Sequence, residues 1–194
     1  MIKKGFTLIE LLVVIAVLGV LAAVVIVAIN PLQQLAKGRD TGRISTVEQL
    51  GQAMVTYATS NNNVFPAQSV TWIATGLVTP GEVSAVPGAV GVTTCNAAAT
   101  AGQNGFCYLN TTNATTKTGP IIVFTRLEAL ANNTKCAVGG AANNFAWALY
   151  SSADGRGGIV CTAAAATDPV PPEVGATMGI CATSPCTTAN QFVQ

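Results

Sequence analysis

Residues 11–29 read LLVVIAVLGVLAAVVIVAI, 19 consecutive positions without one charged or strongly polar side chain. As a helix rising ~1.5 Å per residue, such a run comes close to the ~30 Å hydrocarbon core of a bilayer. Lys3 and Lys4 precede it, so the excess of positive charge holds the N-terminus in the cytoplasm and sends the rest of the chain outward. The apolar region of a secretory signal peptide spans only ~7–15 residues, and this run exceeds that. One residue is out of place in a plain anchor: Glu10, at the leading edge of the span. A carboxylate inside a bilayer costs ~2.5–3.5 kcal/mol and normally has a partner. Glu10 therefore either lies at headgroup depth, solvated, or pairs with a cation supplied from elsewhere, such as a freed N-terminal amine.

The remaining composition narrows the chemistry. Only 9% of the 194 residues are charged, the formal net charge is +1, and there is no histidine. Serine or cysteine triads built on histidine, histidine general bases and mixed Cys/His zinc sites are excluded at once. No basic field marks a nucleic-acid site. No cofactor pattern is evident, and Trp72 and Trp147 read as core or strand packing.

The wording around Glu10 carries more. KKGFTLIELLVVIAVLG resembles, nearly residue for residue, the N-terminus of type IV prepilins and of the pseudopilins of type II secretion systems. The resemblance implies that a prepilin peptidase cuts between Gly5 and Phe6 on the cytoplasmic side and that Phe6 is then N-methylated. It implies too that Glu10 meets the N-terminal amine of a neighbouring subunit and sets register during assembly. Cleavage would remove Lys3 and Lys4, leaving 7 Lys and Arg against 8 Asp and Glu, a side-chain charge of −1. A helix that only anchors has no need of Glu10, whereas one that docks beside copies of itself does.

The fold implied is α+β and type IV pilin-like. A long N-terminal helix, hydrophobic in its first half and amphipathic in its second, would pack on a small antiparallel sheet with a loop-rich, disulfide-stapled C-terminal region. The expected divisions are a leader at 1–5, the membrane and filament-core half of the helix at 6–30, its amphipathic half at 31–60 and an exported head at 61–194. Expected partners are further copies of the chain as a homo-polymer, the prepilin peptidase, the pilus assembly platform and ATPase, and the membrane before assembly.

Asn30-Pro31 should interrupt the helix, because proline lacks a backbone donor and crowds the preceding turn. Beyond it Ile44, Val47, Leu50, Met54 and Tyr57 recur at spacings of three and four, a stripe expected to lie on the protein's own core. Ser60, Asn61, Asn62 and Asn63 end the helix. Lys37, Arg39 and Arg43 read as a solvated helix face; contact with phospholipid headgroups is the sharper reading, which nearby Asp40 and Glu48 weaken.

After residue 60 the chain is rich in Ala, Thr, Gly and Asn and poor in large apolar residues, so a staple is expected. Cys95, Cys107, Cys136, Cys161, Cys181 and Cys186 all lie on the exported side and read as disulfides. Six cysteines allow 15 pairings; the nearest-neighbour choice joins 95 to 107, 136 to 161 and 181 to 186. Zinc is the rival reading, weak without histidine or a C-x2-C pair. Ile121 to Phe124 reads as a strand, Phe145, Trp147 and Leu149 alternating with Ala146, Ala148 and Tyr150 read as a half-buried strand, and Ile159 to Cys161 as its hairpin partner across a turn at 151–156. Phe106 to Leu109 adds a further strand, while 95–105, 110–119 and 162–175 read as loops. SSADGRGG resembles the hairpin of major pseudopilins, where a following acidic loop binds calcium, but the next acid here is Asp168, so Asp154 is expected to make local turn hydrogen bonds. Asn110, Asn113 and Asn132 each open an N-x-Thr sequon, a chance match in so Thr-rich a chain or a glycosylation site.

Three functions compete on these grounds: a structural subunit of a type IV pilus on the cell surface, a pseudopilin that drives secretion or DNA uptake, and a membrane-anchored enzyme or receptor. The third finds no catalytic constellation, and the count of cysteines favours the first over the second.

Overall fold

The computed structural model describes residues 5–91, 95, 101–110, 118–138, 145–162, 169, 177–181 and 185–193. The sequence first dictates two helices in series, α1 (Leu8–Ile29) and α2 (Pro31–Ser60). Asn30 between them is left-handed, with φ 46° and ψ 74°. Its carbonyl accepts the amides of Gln33 at 3.1 Å and Gln34 at 3.4 Å, so the residue that ends α1 also starts the ladder of α2. Pro31 then occupies the first helical position, where its missing N–H costs nothing.

Two compact units result, residues 1–36 and 37–194. In the first, α1 is apolar on every side, and its side chains from Leu8 to Ile26 are exposed. In the second, the C-terminal part of α2 packs on a five-stranded antiparallel sheet with strands in chain order: β1 (Ala101–Gln103), β2 (Phe106–Asn110), β3 (Ile121–Arg126), β4 (Phe145–Ser151) and β5 (Arg156–Thr162). The unit is α+β, and a four-residue helix α3 (Leu130–Asn133) follows β3.

The period of two along each strand assigns residues to two layers. Ile121 and Val123 of β3 and Ala146, Ala148 and Tyr150 of β4 face Val47, Leu50, Met54 and Ala58 of α2. Small residues on β4 let the helix come close, and Gly51 sits where a Cβ would overlap the Tyr150 ring. On the other face Ile122, Phe124, Trp147, Leu149 and Val160 form a second cluster, closed by Met178 and Phe192 from the C-terminal segment. Phe192 bridges both Val160 and Ile180. This corrects the half-buried reading of β4: every residue from Ala146 to Ser151 is buried, because helix covers one face and the chain's own tail the other.

The structure departs from the sequence reading elsewhere as well. The end of the loop expected at 95–105 is a strand, β1, paired with β2 through the Asn104-Gly105 turn, where both residues have positive φ. A π-helical turn at Ala74–Val78 was not foreseen. It buries Leu77 beside Trp72 and Ile73, and the Gln103 side chain accepts the amides of Ile73 and Ala74. Most of the loops expected at 110–119 and 162–175 lie outside the described residues, as do Asn113 and Asp168.

Three disulfides staple the second unit: Cys95–Cys107, Cys136–Cys161 and Cys181–Cys186. Zinc coordination is thereby replaced by covalent pairing at all six positions.

Candidate processing and assembly segment

Thr7 is the N-cap of α1, as threonine's affinity for that position predicts. Its hydroxyl accepts the Glu10 amide at 3.3 Å, and the Glu10 carboxylate accepts the Thr7 amide at 3.0 Å and the Thr7 hydroxyl at 2.8 Å. This is a capping box, in which two orphan donors of the first helical turn are satisfied reciprocally. Gly5 and Phe6 precede it outside the helix, and Phe6 is 82% exposed. Gly5 and Phe6 thus come just before the first turn of an apolar helix, whose Glu10 carboxylate is turned back onto the amide between Phe6 and Thr7. No position of Lys3 or Lys4 is described.

The span behind this tip, Leu8–Ile26, has a mean hydropathy of 3.1. None of it is buried by the rest of the chain. Exposed apolar surface of this extent marks a membrane or protein contact.

The second unit holds a polar cluster that the sequence reading placed in solvent. Asp40 is 1% exposed and Arg43 5% exposed. The Asp40 carboxylate accepts the backbone amides of Glu128 at 3.0 Å and Ala129 at 2.9 Å, the Asn132 side-chain amide at 2.7 Å, and Arg43 Nη1 at 3.1 Å. Arg43 Nη1 also donates to the Arg126 carbonyl, and its Nη2 reaches Glu128 Oε1 at 3.1 Å. Arg39 pairs with the same Glu128 oxygen through Nε. The hydrogen bond from Arg39, reinforced by Arg43, holds the Glu128 carboxyl below the usual carboxylate range. Solvated-face and headgroup readings therefore fail for Arg43, and Arg39 is tied to the β3–α3 connection. Of the three, the exposed Lys37 makes no side-chain hydrogen bond or ion pair among the described residues, and its carbonyl accepts the Thr41 hydroxyl at 3.0 Å. The missed signal was spacing: 40 and 43 continue the three-and-four stripe of 47, 50, 54 and 58 in polar form. At the stripe's edges Ile44 and Tyr57 are only half-buried.

Asp154 makes the expected local bonds, accepting the Ser151 hydroxyl at 2.6 Å. It also accepts the Met178 amide at 3.2 Å, tying the hairpin turn to the tail that covers the second cluster. Of the sequon residues, Asn110 is 8% exposed and Asn132 spends its side-chain amide on Asp40. A glycan on either nitrogen would conflict with burial or with that bond. Burial pushes the Tyr108 phenol up, and its hydroxyl donates to the Pro66 carbonyl.

Residues 1–26 match the family model described as the prokaryotic N-terminal methylation motif, the prepilin-type signature of type IV pilins and pseudopilins. No curated protein and no solved structure matches the chain. The motif supports a type IV pilin or pseudopilin precursor, a structural subunit processed by prepilin peptidase, and the apolar helix beside the motif fits a membrane-anchored precursor.

Proposed function

We propose that this chain is a pilin that polymerises into a type IV pilus on the cell surface. One observation carries the reading: the GFTLIE motif lies at the start of a helix whose apolar side chains from Leu8 to Ile26 are not buried by any of the described residues. In this reading residues 1–5 are a leader removed by cleavage after Gly5, and Phe6 is the methylated first residue of the mature chain. Residues 6–30 serve first as membrane span and then as filament core, 31–60 join core to head, and 61–194 form the exported head.

Glu10 accepts the freed Phe6 amine of the neighbouring copy. A carboxylate and an ammonium removed from water together are stable only as a pair, and removing one leaves a buried charge. Docking thereby selects the register in which every Glu10 finds an amine. The assembly platform and ATPase extract the subunit from the inner membrane, and loss of Lys3 and Lys4 weakens its cytoplasmic hold.

Mass spectrometry of the mature protein should give N-methyl-Phe6 as first residue; an intact Met1 would overturn the assignment. Glu10→Ala should leave cleavage unchanged and abolish efficient filament growth, seen by electron microscopy of the cell surface. Short periplasmic polymers without surface fibres would point to a pseudopilus instead.

A further inference from the structure

Between α2 and the segment 87–91 the second unit holds a cavity of about 480 Å³, floored in part by Phe106 of β2. That volume lies in the range of ordinary small-molecule sites. The segment is held by the β1–β2 turn: the Asn104 carbonyl accepts the Val90 amide at 2.9 Å, and the Asn104 side-chain amide donates to the Pro87 carbonyl at 2.8 Å. A Cβ at Gly105 would fall 2.5 Å from Val90, so glycine there lets the segment lie close on the turn. Toward α2 the gap is open instead. A Cβ added at Gly42 of the helix, or at Gly88 or Gly91 of the segment, would meet nothing within 4 Å, and all three line the cavity.

Arg39, Arg43 and Glu128 supply the charged groups of the lining. Arg43 gives Nη1 to Asp40 and the Arg126 carbonyl and Nη2 to Glu128, and its Nε is sealed from solvent. The Thr46 hydroxyl is spent on the Gly42 carbonyl. Arg39 uses Nε alone and Glu128 uses Oε1 alone, which leaves Arg39 Nη1 and Nη2 and Glu128 Oε2 without a partner among the described residues. Glu128 is held ionised at neutral pH by Arg39 and then Arg43. Asp40 and Glu128 balance the two arginines, so the cluster has no net formal charge to draw in an ion. What remains is a donor edge beside an acceptor oxygen, next to apolar walls.

We propose that this cavity is a binding site for a small neutral molecule in which a carboxamide is joined to an apolar ring or short chain. The amide carbonyl accepts from the Nη edge of Arg39, its N–H donates to Glu128 Oε2, and the apolar part lies against Pro87, Val90 and Phe106. Both hydrogen bonds are charge-assisted. A carboxylate would satisfy Arg39 but would stand beside the Glu128 anion and offer it no proton. A hydrocarbon would desolvate both polar groups and pair neither. The inference does not rest on the filament reading, since every group it uses belongs to the second unit.

The test titrates the full chain, isotope-labelled in detergent micelles, with benzamide as probe and benzoate as its charged counterpart, reading backbone amide resonances. Benzamide should shift Gly42, Gly88 and Gly91 saturably, with half-saturation at about 1 mM, as befits so small a ligand. Benzoate should bind roughly ten-fold more weakly or worse. Gly42→Leu fills the cavity from the helix side. It should abolish the Gly88 and Gly91 shifts and leave the thermal midpoint unchanged or raised, since leucine is the better helix former. Gly38→Leu, equally open but outside the lining, should bind as the unaltered chain does. Arg39→Ala should weaken benzamide roughly ten-fold or more. Shifts that stay linear to about 20 mM benzamide overturn the site, and so does binding that survives Gly42→Leu. Benzoate binding as tightly as benzamide, or an indifferent Arg39→Ala, overturns the assignment of a neutral amide.

Discussion

Asp40 carries four accepted hydrogen bonds from three separate parts of the chain, and no side chain of another type could replace it. Asparagine would present one acceptor oxygen and two donors to a site that contains only donors. Asp40→Ala should go further, leaving the buried amides after β3 without their acceptor and Arg43 with Glu128 as its one remaining carboxylate, in a site from which water is largely excluded. Breaking a buried pair in this way costs ~3–5 kcal/mol. The thermal midpoint of the second unit should fall by roughly 6–20 °C, at ~2–4 °C per kcal/mol for a protein of this size. A midpoint unchanged in scanning calorimetry would remove the cluster from the forces holding α2 to the sheet.

Glu128 makes a pH-dependent prediction at the same scale. Its carboxyl titrates lower in the folded chain than in the unfolded, because Arg39 and then Arg43 stabilise its charged form. The stability it adds is present above the unfolded value of ~4.3 and is lost as pH falls through the folded one. Glu128→Gln should therefore lower the melting temperature by a few degrees at pH 7 and by much less at pH 3. A gap that stays constant or widens on acidification would contradict the pairing. The contribution is modest, of order 1 kcal/mol, because Arg39 is largely exposed and its half of the pair is screened.

At the scale of elements, the readable parts of the sequence were those where one physical signal dominates. The unbroken apolar run specified α1, and Asn30-Pro31 specified its end. The three-and-four spacing of Val47, Leu50 and Met54 specified which face of α2 is buried, and the β-branched run at 121–124 specified β3. What escaped reading depended on residues distant in sequence. β4 looked half-buried because nothing local announces that Met178 and Phe192 close its outer face. β1, with Ala, Gly and Gln, has no strand propensity of its own and exists through its pairing with β2. Asp40 and Arg43 looked solvated because charge normally means surface, and only the donors after β3 make their burial tolerable. At the N-terminus the motif drew attention to Gly5, Phe6 and Glu10, whose roles are those proposed above, whereas the Thr7 capping box needed the helix start to be known.

The contact between α2 and β4 is an element-level property open to a direct test. Gly51 lies against the Tyr150 ring with no room for a Cβ. In an exposed helix Gly→Ala stabilises by ~1 kcal/mol. Here Gly51→Ala should destabilise instead, by ~1–3 kcal/mol, since the added methyl forces the helix off the sheet or the ring out of its rotamer. A stabilised Gly51→Ala protein in chemical denaturation would mean that α2 and β4 do not approach so closely.

For the whole molecule, the telling fact is a second unit poor in large side chains. Its core clusters are lean: Ala146 and Ala148 of β4 and Ala58 of α2 occupy buried positions that a larger Val or Leu would fill more fully. Covalent closure offsets that deficit, and the three disulfides are not equivalent. They close loops separated by 12, 25 and 5 residues. Chain entropy assigns them ~2.8, ~3.5 and ~2.1 kcal/mol in that order. Cys136–Cys161 is also the one that ties β5 to the segment after α3, within the cluster beneath α2. Replacing both cysteines of each pair by serine should rank the losses as 136–161, then 95–107, then 181–186. If the proposed pilin reading holds, loss of the first pair should leave the second unit unfolded or degraded while cleavage after Gly5 proceeds, since that cleavage would act on the other unit. Pulse–chase of the precursor and its mature form separates the two steps. A 136–161 variant as long-lived as the unaltered chain would show that burial alone holds this head together.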